Sequence, residues 1–221
     1  MNRSANTISA GEIRVNKMTA LTTDCQYATW DDEELLAEYR YNKNREAFSQ
    51  LVIRYESELY NYLYRYLGNS ANAEDVFQTA FIRIIEHIDT FSEGKRFRPW
   101  MYQVAVNCAK DFLTQRKRFS VVSIDDDYGQ GGEAVTIAET IEGREQQPAE
   151  NVVSEDEAQR VRQAVAKLPE EMRQALYLVY FQGLTYSEAA ESLGIVKGTM
   201  PSRLKNAVAK LNYILKGNEK T

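Results

Sequence analysis

Between Lys95 and Arg118 the chain interleaves cations with aromatic rings. Lys95, Arg96 and Arg98 share a short run with Phe97 and Trp100, and Lys110, Arg116, Lys117 and Arg118 follow with Tyr102 and Phe112 among them. Cationic side chains can track phosphates while ring faces accept unstacked bases, so the pattern suits single-stranded nucleic acid. From Phe91 to Arg118 there are seven basic residues and two acidic ones, a local charge of +5 in a chain whose formal net charge is -5. The alternative is a solvated helix end with ordinary core aromatics, because Trp100 and Phe112 also fall on an apolar stripe.

Other chemistries find little support. The one histidine, His87, follows an isoleucine pair near a predicted helix end, where interaction with the helix dipole is the ordinary role. No phosphate loop, nucleophile elbow or metal-ligand spacing occurs, so an enzyme is the least favoured class and no cofactor or metal is expected. Cys25 and Cys108 lie far apart without histidine neighbours, which fits neither a disulfide framework nor a zinc site and agrees with a reducing cytoplasm. At 221 residues and 43% hydrophobic, the chain can bury a real core; its acidic pI argues against indiscriminate nucleic-acid binding.

The elements that would position these residues are helical. Residues 1–30 read as a disordered leader, with no apolar run long enough for a signal peptide or membrane span, and Met18 is an alternative start to Met1. Asp31 and Glu34 form a capping pattern ahead of Leu35, Leu36 and Tyr39. A longer helix carries Phe48, Leu51, Tyr55, Leu59, Tyr62, Leu63 and Tyr66 to a stop at Gly68-Asn69. In the next, Val76, Phe77, Ala80, Phe81, Ile84 and Ile88 commit one face to a core and leave Asp75 and Gln78 on the other. A loop, Ser92 to Pro99, leads into a helix that buries Trp100, Met101, Val104, Ala105, Cys108 and Phe112. These four helices make one unit over 31–118.

Composition then changes. From Ser123 to Glu157 there are eleven acidic residues and one basic residue, Arg144, with Gly129, Gly131, Gly132 and Pro148 as punctuation. Such a segment cannot bury enough apolar surface to fold alone, so 119–154 reads as an acidic flexible linker. A second helical unit spans 155–216, followed by a tail over 217–221. Within it Thr185 and Glu188 form a capping box, Ala189, Ala190 and Leu193 share a face, Gly194 turns the chain, and a basic last helix runs through Arg203, Leu204, Ala207 and Leu211. Two helices with small residues at their crossing and a basic second helix predict a helix-turn-helix, although a plain helical hairpin needs similar features. The fold class is therefore all-α, with two small helical domains.

The run A-E-D-x-x-Q (Ala73, Glu74, Asp75, Gln78), the aromatic and basic loop, W-M-Y-Q-V-A-V-N (Trp100 to Asn107) and R-K-R resemble domain 2 of bacterial sigma factors of the extracytoplasmic-function group. L-P-E-E-M-R-Q-A-L, G-L-T-Y-S-E-A-A-E-S-L-G-I and G-T-M-P-S-R-L-K-N-A-V-A-K-L resemble sigma domain 4, in the expected order. The resemblance implies that Asp75 and Gln78 dock on core RNA polymerase. It implies that the loop with Lys95, Arg96, Phe97 and Arg98, together with Trp100, Asn107, Lys110 and Arg116, meets the melted -10 strand. It also implies recognition of a duplex -35 element, passage of the linker through polymerase channels, and an anti-sigma protein as a partner the family admits.

One departure concerns Pro201, where the family usually carries a basic or polar residue. Readout of the -35 element must then lean on Lys197, Thr199, Ser202, Arg203 and Lys205, with altered or weakened specificity expected. If the helix starts at Thr199, Pro201 sits in its first turn at little cost; an earlier start would make it a kink. The rival reading is a free-standing helix-turn-helix repressor, which explains 156–216 but leaves the Asp75/Gln78 patch, the basic loop and the acidic connector without a role.

Overall fold

The computed structural model describes residues 27–122 and 155–217. Residues 1–26 of the proposed leader, 123–154 of the acidic connector and 218–221 of the tail lie outside that set, as do Met18 and Cys25; residues 27–30, read as leader, are described, with Tyr27 buried against Trp30, and the helix before the connector runs on to Val122.

Local signals start and stop the helices of the first unit. Helix α1, Asp32–Asn42, opens on a complete capping box: the Glu34 amide donates to Asp31 Oδ1 at 2.7 Å, and the Asp31 amide to Glu34 Oε2 at 2.9 Å. Helix α2, Arg45–Leu67, opens on Asn44, whose side chain accepts from the Glu46 and Ala47 amides. Gly68 ends it at φ 70°, a conformation glycine adopts without Cβ strain. Asn69 caps α3, Ser70–His87, and a 3-10 turn, Ile88–Thr90, leads away from it. Helix α4, Phe97–Val122, closes the unit. Leu35, Leu51, Leu59, Leu63, Ile84 and Met101 are fully buried between these four helices. The tyrosines of α2 lie on the same stripe, and Tyr55, Tyr62 and Tyr66 are buried with it.

The loop ahead of α4 is shorter than the expected Ser92–Pro99, because the helix already starts at Phe97. Glu33 of α1 explains the early start: its carboxylate accepts from the Phe97 amide at 2.8 Å, satisfying one of the donors that a helix N-terminus leaves open.

The second unit comprises α5 (Glu155–Ala166), α6 (Glu170–Leu176), α7 (Tyr186–Leu193) and α8 (Thr199–Gly217). Helix α6 runs on into a π-helical turn, Tyr177–Phe181, and Gly183 at φ 65° redirects the chain toward α7. Thr185 and Glu188 form the expected capping box, and Gly194 ends α7 at φ 64°. Met200, Leu204 and Ala207 turn the inner face of α8 to the core. No strand occurs among the described residues.

The two units pack on each other, which the reading of two tethered domains does not anticipate. Tyr66 of α2 donates to Glu170 Oε1 at 2.6 Å and accepts from Gln174 Nε2 at 2.8 Å, with Gln174 only 1% exposed. The Arg173 guanidinium lies 5.4 Å from the centre of the Tyr66 ring. Around these polar contacts the buried apolar residues of both units form one continuous cluster.

Candidate nucleic-acid interface

The basic loop is held at both ends and open in the middle. Phe91 and Phe97 are buried, and both rings pack on Trp100, at centroid distances of 5.0 and 6.2 Å. Between them Ser92 to Arg96 are all exposed. The Lys95 amide donates to the Ser92 carbonyl at 3.2 Å, closing a four-residue turn with Gly94 at φ 81° in its third position, where a side chain would be strained. Arg40 of α1 fixes the entry by donating to the carbonyls of Phe91 and Asp89, each at 3.0 Å. Tyr41 donates to the Glu93 carboxylate at 2.7 Å. Lys95 and Arg96 are thus presented on a short, braced turn.

The remaining members of the predicted -10 set divide. Asn107 and Arg116 are exposed along α4 and Lys110 is partly exposed, while the same helix buries Met101, Tyr102, Ala105 and Ala109 in the core. Phe97 is 0% exposed, with its ring against Tyr55 at 5.6 Å and Trp100, so it serves as core and not as an accessible stacking face. Trp100 is half-buried between the two phenylalanines. Arg98 is committed to protein: Nε and Nη2 donate to Glu58 Oε1 at 2.9 and 2.6 Å, and Nη2 also donates to the Gln182 carbonyl. Both departures have one cause: the helix starts at Phe97, which turns Phe97 and Arg98 toward α2 and the second unit.

Asp75 and Gln78 lie exposed on the outer face of α3, one helical turn apart. Gln78 Nε2 stands 3.5 Å from Glu74 Oε1, a weak tie, and the Asp75 carbonyl accepts from Thr79 Oγ1 at 2.8 Å. Arg83 on the same helix pairs with Asp111 of α4 at 2.7 Å. Burial pushes the Cys108 thiol up, with Arg83 opposing, so this buried cysteine behaves as a core residue.

In the second unit Ala189, Ala190 and Ala207 are all fully buried, small enough for α7 and α8 to approach closely. The outer face of α8 presents Pro201, Ser202 and Lys205, preceded by exposed Lys197 and partly exposed Thr199. Because α8 starts at Thr199, Pro201 falls in the first turn, where its missing N–H breaks no helical hydrogen bond. Ser202 donates to the Thr199 carbonyl at 2.9 Å, and Arg203, its side chain 17% exposed, pairs with Glu171 at 2.9 Å.

Two contacts escape sequence reasoning altogether. Tyr102 donates to Glu58 Oε1 at 2.7 Å and lies 3.1 Å from Gln182 Oε1, so Glu58, Arg98, Tyr102 and Gln182 form one polar knot between the units. Burial and the Glu58 charge push the Tyr102 phenol far up. Nearer the loop, Arg96 pairs with Glu188 at 3.0 Å and Lys95 with Glu191 at 3.5 Å. Partial burial raises Glu188, but hydrogen bonds from Thr185 and the Arg96 cation outweigh it and hold the carboxyl below its ordinary value.

Two helical units, one with a braced basic loop at the head of a long helix and the other with a helix-turn-helix, make the class of a two-part nucleic-acid-binding protein. Comparison with known families makes the class specific: the Sigma-70 region 2 model matches residues 51–119 and the Sigma-70 region 4 model residues 158–211. The ECF RNA polymerase sigma factor SigW of Bacillus subtilis is 33% identical over 161 residues, covering 73% of this chain and 84% of the relative. The ECF RNA polymerase sigma-E factor of Escherichia coli K12 is 31% identical over 180 residues, covering 79% and 90%. Among solved structures, CnrH in complex with the cytosolic domain of CnrY aligns with a TM-score of 0.59 at 23% identity, covering 84% of this chain and 97% of that one. The sigma factor RpoE of Bartonella quintana, in complex with the anti-sigma factor NepR, aligns at 0.55 and 24%, covering 76% and 96%. The chain belongs to the sigma-70 family of RNA polymerase sigma factors, in its extracytoplasmic-function group, and its function is promoter recognition in transcription initiation. No described helix is long and apolar enough to cross a membrane.

Proposed function

We propose that the chain docks on core polymerase through Asp75 and Gln78, reads a -35 duplex with α8, and holds the melted -10 strand on its basic loop and α4. The observation that carries this reading is the braced, exposed turn Ser92–Arg96 at the head of α4, the helix that also carries Asn107, Lys110 and Arg116. Lys95 and Arg96 track phosphates, while Lys110 and Arg116 extend the cationic path along α4. Trp100 supports the turn from beneath. Phe97 and Arg98 act as its foundation. Lys197 in the turn before α8 and Thr199, Ser202 and Lys205 on it face the groove, and Arg203 joins them only by leaving Glu171. Pro201 contributes no donor, which leaves fewer groups to tell one -35 sequence from another.

The protein works by binding and makes no covalent step of its own. Extruding a base costs a few kcal/mol, which stacking and pocket contacts of similar size offset, so binding alone can drive opening. Its place is the cytoplasm, with core polymerase and promoter DNA as partners. An anti-sigma protein fits the surfaces left exposed on both units.

A native gel with a promoter fragment carrying a premelted -10 region tests the reading. Protein alone, core polymerase alone and the mixture are compared, with Asp75→Ala/Gln78→Ala run in parallel. Binding only in the mixture, weakened by the double substitution, is expected. Tight sequence-specific binding by the protein alone, indifferent to polymerase and to those substitutions, would overturn it in favour of a repressor.

A further inference from the structure

The first unit offers a melted strand several cations but almost no ring to stack on. Phe91 and Phe97 are buried, and Trp100 is half-buried between them. Tyr41, in the last turn of α1, is the one aromatic residue of that unit that stands exposed among the described residues, at 64%. It is also fixed in place. Its hydroxyl donates to the Glu93 carboxylate of the basic turn at 2.7 Å, and the Arg40 guanidinium lies 5.5 Å from its ring centre while donating to the carbonyls of Phe91 and Asp89. A ring held in this way needs little further ordering when a base lies on it.

The chain around Tyr41 repeats the interleaving of rings and cations found in the turn. From Tyr39 to Arg45 it reads Y-R-Y-N-K-N-R, with three cations and no acid. Lys43 and Arg45 are both exposed. Lys43 ends α1 at φ 56°, in the left-handed region where glycine is the usual occupant and a larger residue costs stability. The helix dipole does not account for it, because Arg40 already places a cation in the last turn. A lysine at a strained position points to a task outside the fold.

We propose that Tyr41 is a stacking platform for an unpaired nucleobase next to the nucleotide at the basic turn, with Lys43 and Arg45 taking the phosphates that flank it. The subsite extends the strand-holding surface from α4 and the turn onto the corner between α1 and α2, and it rests on the reading of that turn as a -10 contact. A ring face accepts any base, so the subsite adds affinity without adding sequence preference.

The test is an abasic scan on the complex of the full chain, core polymerase and a promoter fragment with a premelted -10 region. Abasic sites are placed singly along the nontemplate strand, each removing one base and leaving its phosphate. At one position the wild-type complex should lose about 5- to 100-fold in affinity, the size of one stacked base. Tyr41→Phe should show the same dependence. Tyr41→Ala, already weaker by that factor on the intact strand, should lose nothing more at that position, whereas a merely structural role would lower affinity alike at every position. Lys43→Gly should raise the thermal midpoint by about 2–4 °C, through relief of the left-handed lysine, and weaken binding by about 2- to 5-fold with a shallower salt dependence. Unchanged affinity in Lys43→Gly would overturn its phosphate contact, and the absence of any Tyr41-dependent position would overturn the platform. Lys95→Ala/Arg96→Ala in the same assay keeps the two failures apart: lost affinity there without a Tyr41-dependent position sinks the platform alone, and no loss in either set sinks the reading of the turn with it.

Discussion

At Phe97, a residue whose neighbours are all polar or basic in sequence, the ring is buried against Tyr55 and Trp100. Phe97→Ala should therefore cost about 3–5 kcal/mol of stability in urea unfolding, in the range of a lost core ring. Arg96→Ala should cost no more than about 1 kcal/mol, as for an exposed ion pair. Similar small losses from both would mean that Phe97 is not a core residue. Tyr62 presents the opposite case: its hydroxyl is buried and has no hydrogen-bond partner among the described residues. Tyr62→Phe should raise stability by about 1 kcal/mol, because the penalty of an unpaired buried hydroxyl disappears with the group. A lower unfolding midpoint would reveal a partner for that oxygen. Glu188 carries the pH dependence. Its folded carboxyl titrates below the ordinary 4.5, so its stabilisation is complete above that value and is lost as pH falls through the lower folded value. Carboxyl NMR titration should show that value rising in Arg96→Ala; an unchanged titration would deny the ion pair.

Helix ends were the most legible elements, because a cap is written in four consecutive residues. Asp31 with Glu34, Thr185 with Glu188, and the glycine stops at Gly68 and Gly194 all appear where the sequence puts them. Thr185→Ala should cost about 1 kcal/mol, measured by thermal unfolding, since it opens the α7 cap. The start of α4 was misplaced by three residues for the complementary reason: its cap comes from Glu33, 64 positions away, which no local pattern records. That displacement decided the fate of Phe97 and Arg98. Once the helix begins at Phe97, the two side chains turn inward, and the exposed cations are left on the turn before it.

The packing of the two units was not legible at all. The hydrogen bonds that join Glu58 and Gln182 to Arg98 and Tyr102 span 40 to 84 positions, and each residue is unremarkable in its own segment. The acidic run between the units suggested a loose tether, whereas the buried Gln174 and Tyr66 join the units directly. At this scale the central claim is that the whole chain, acting with polymerase, chooses where transcription begins. The direct measurement is transcription in vitro from a promoter fragment, with core polymerase alone, with the wild-type chain, and with Lys95→Ala/Arg96→Ala. The account predicts a discrete transcript only when the chain is present, sharply reduced by the loop substitutions. No chain-dependent transcript, or repression of a transcript made by another sigma factor, would contradict it.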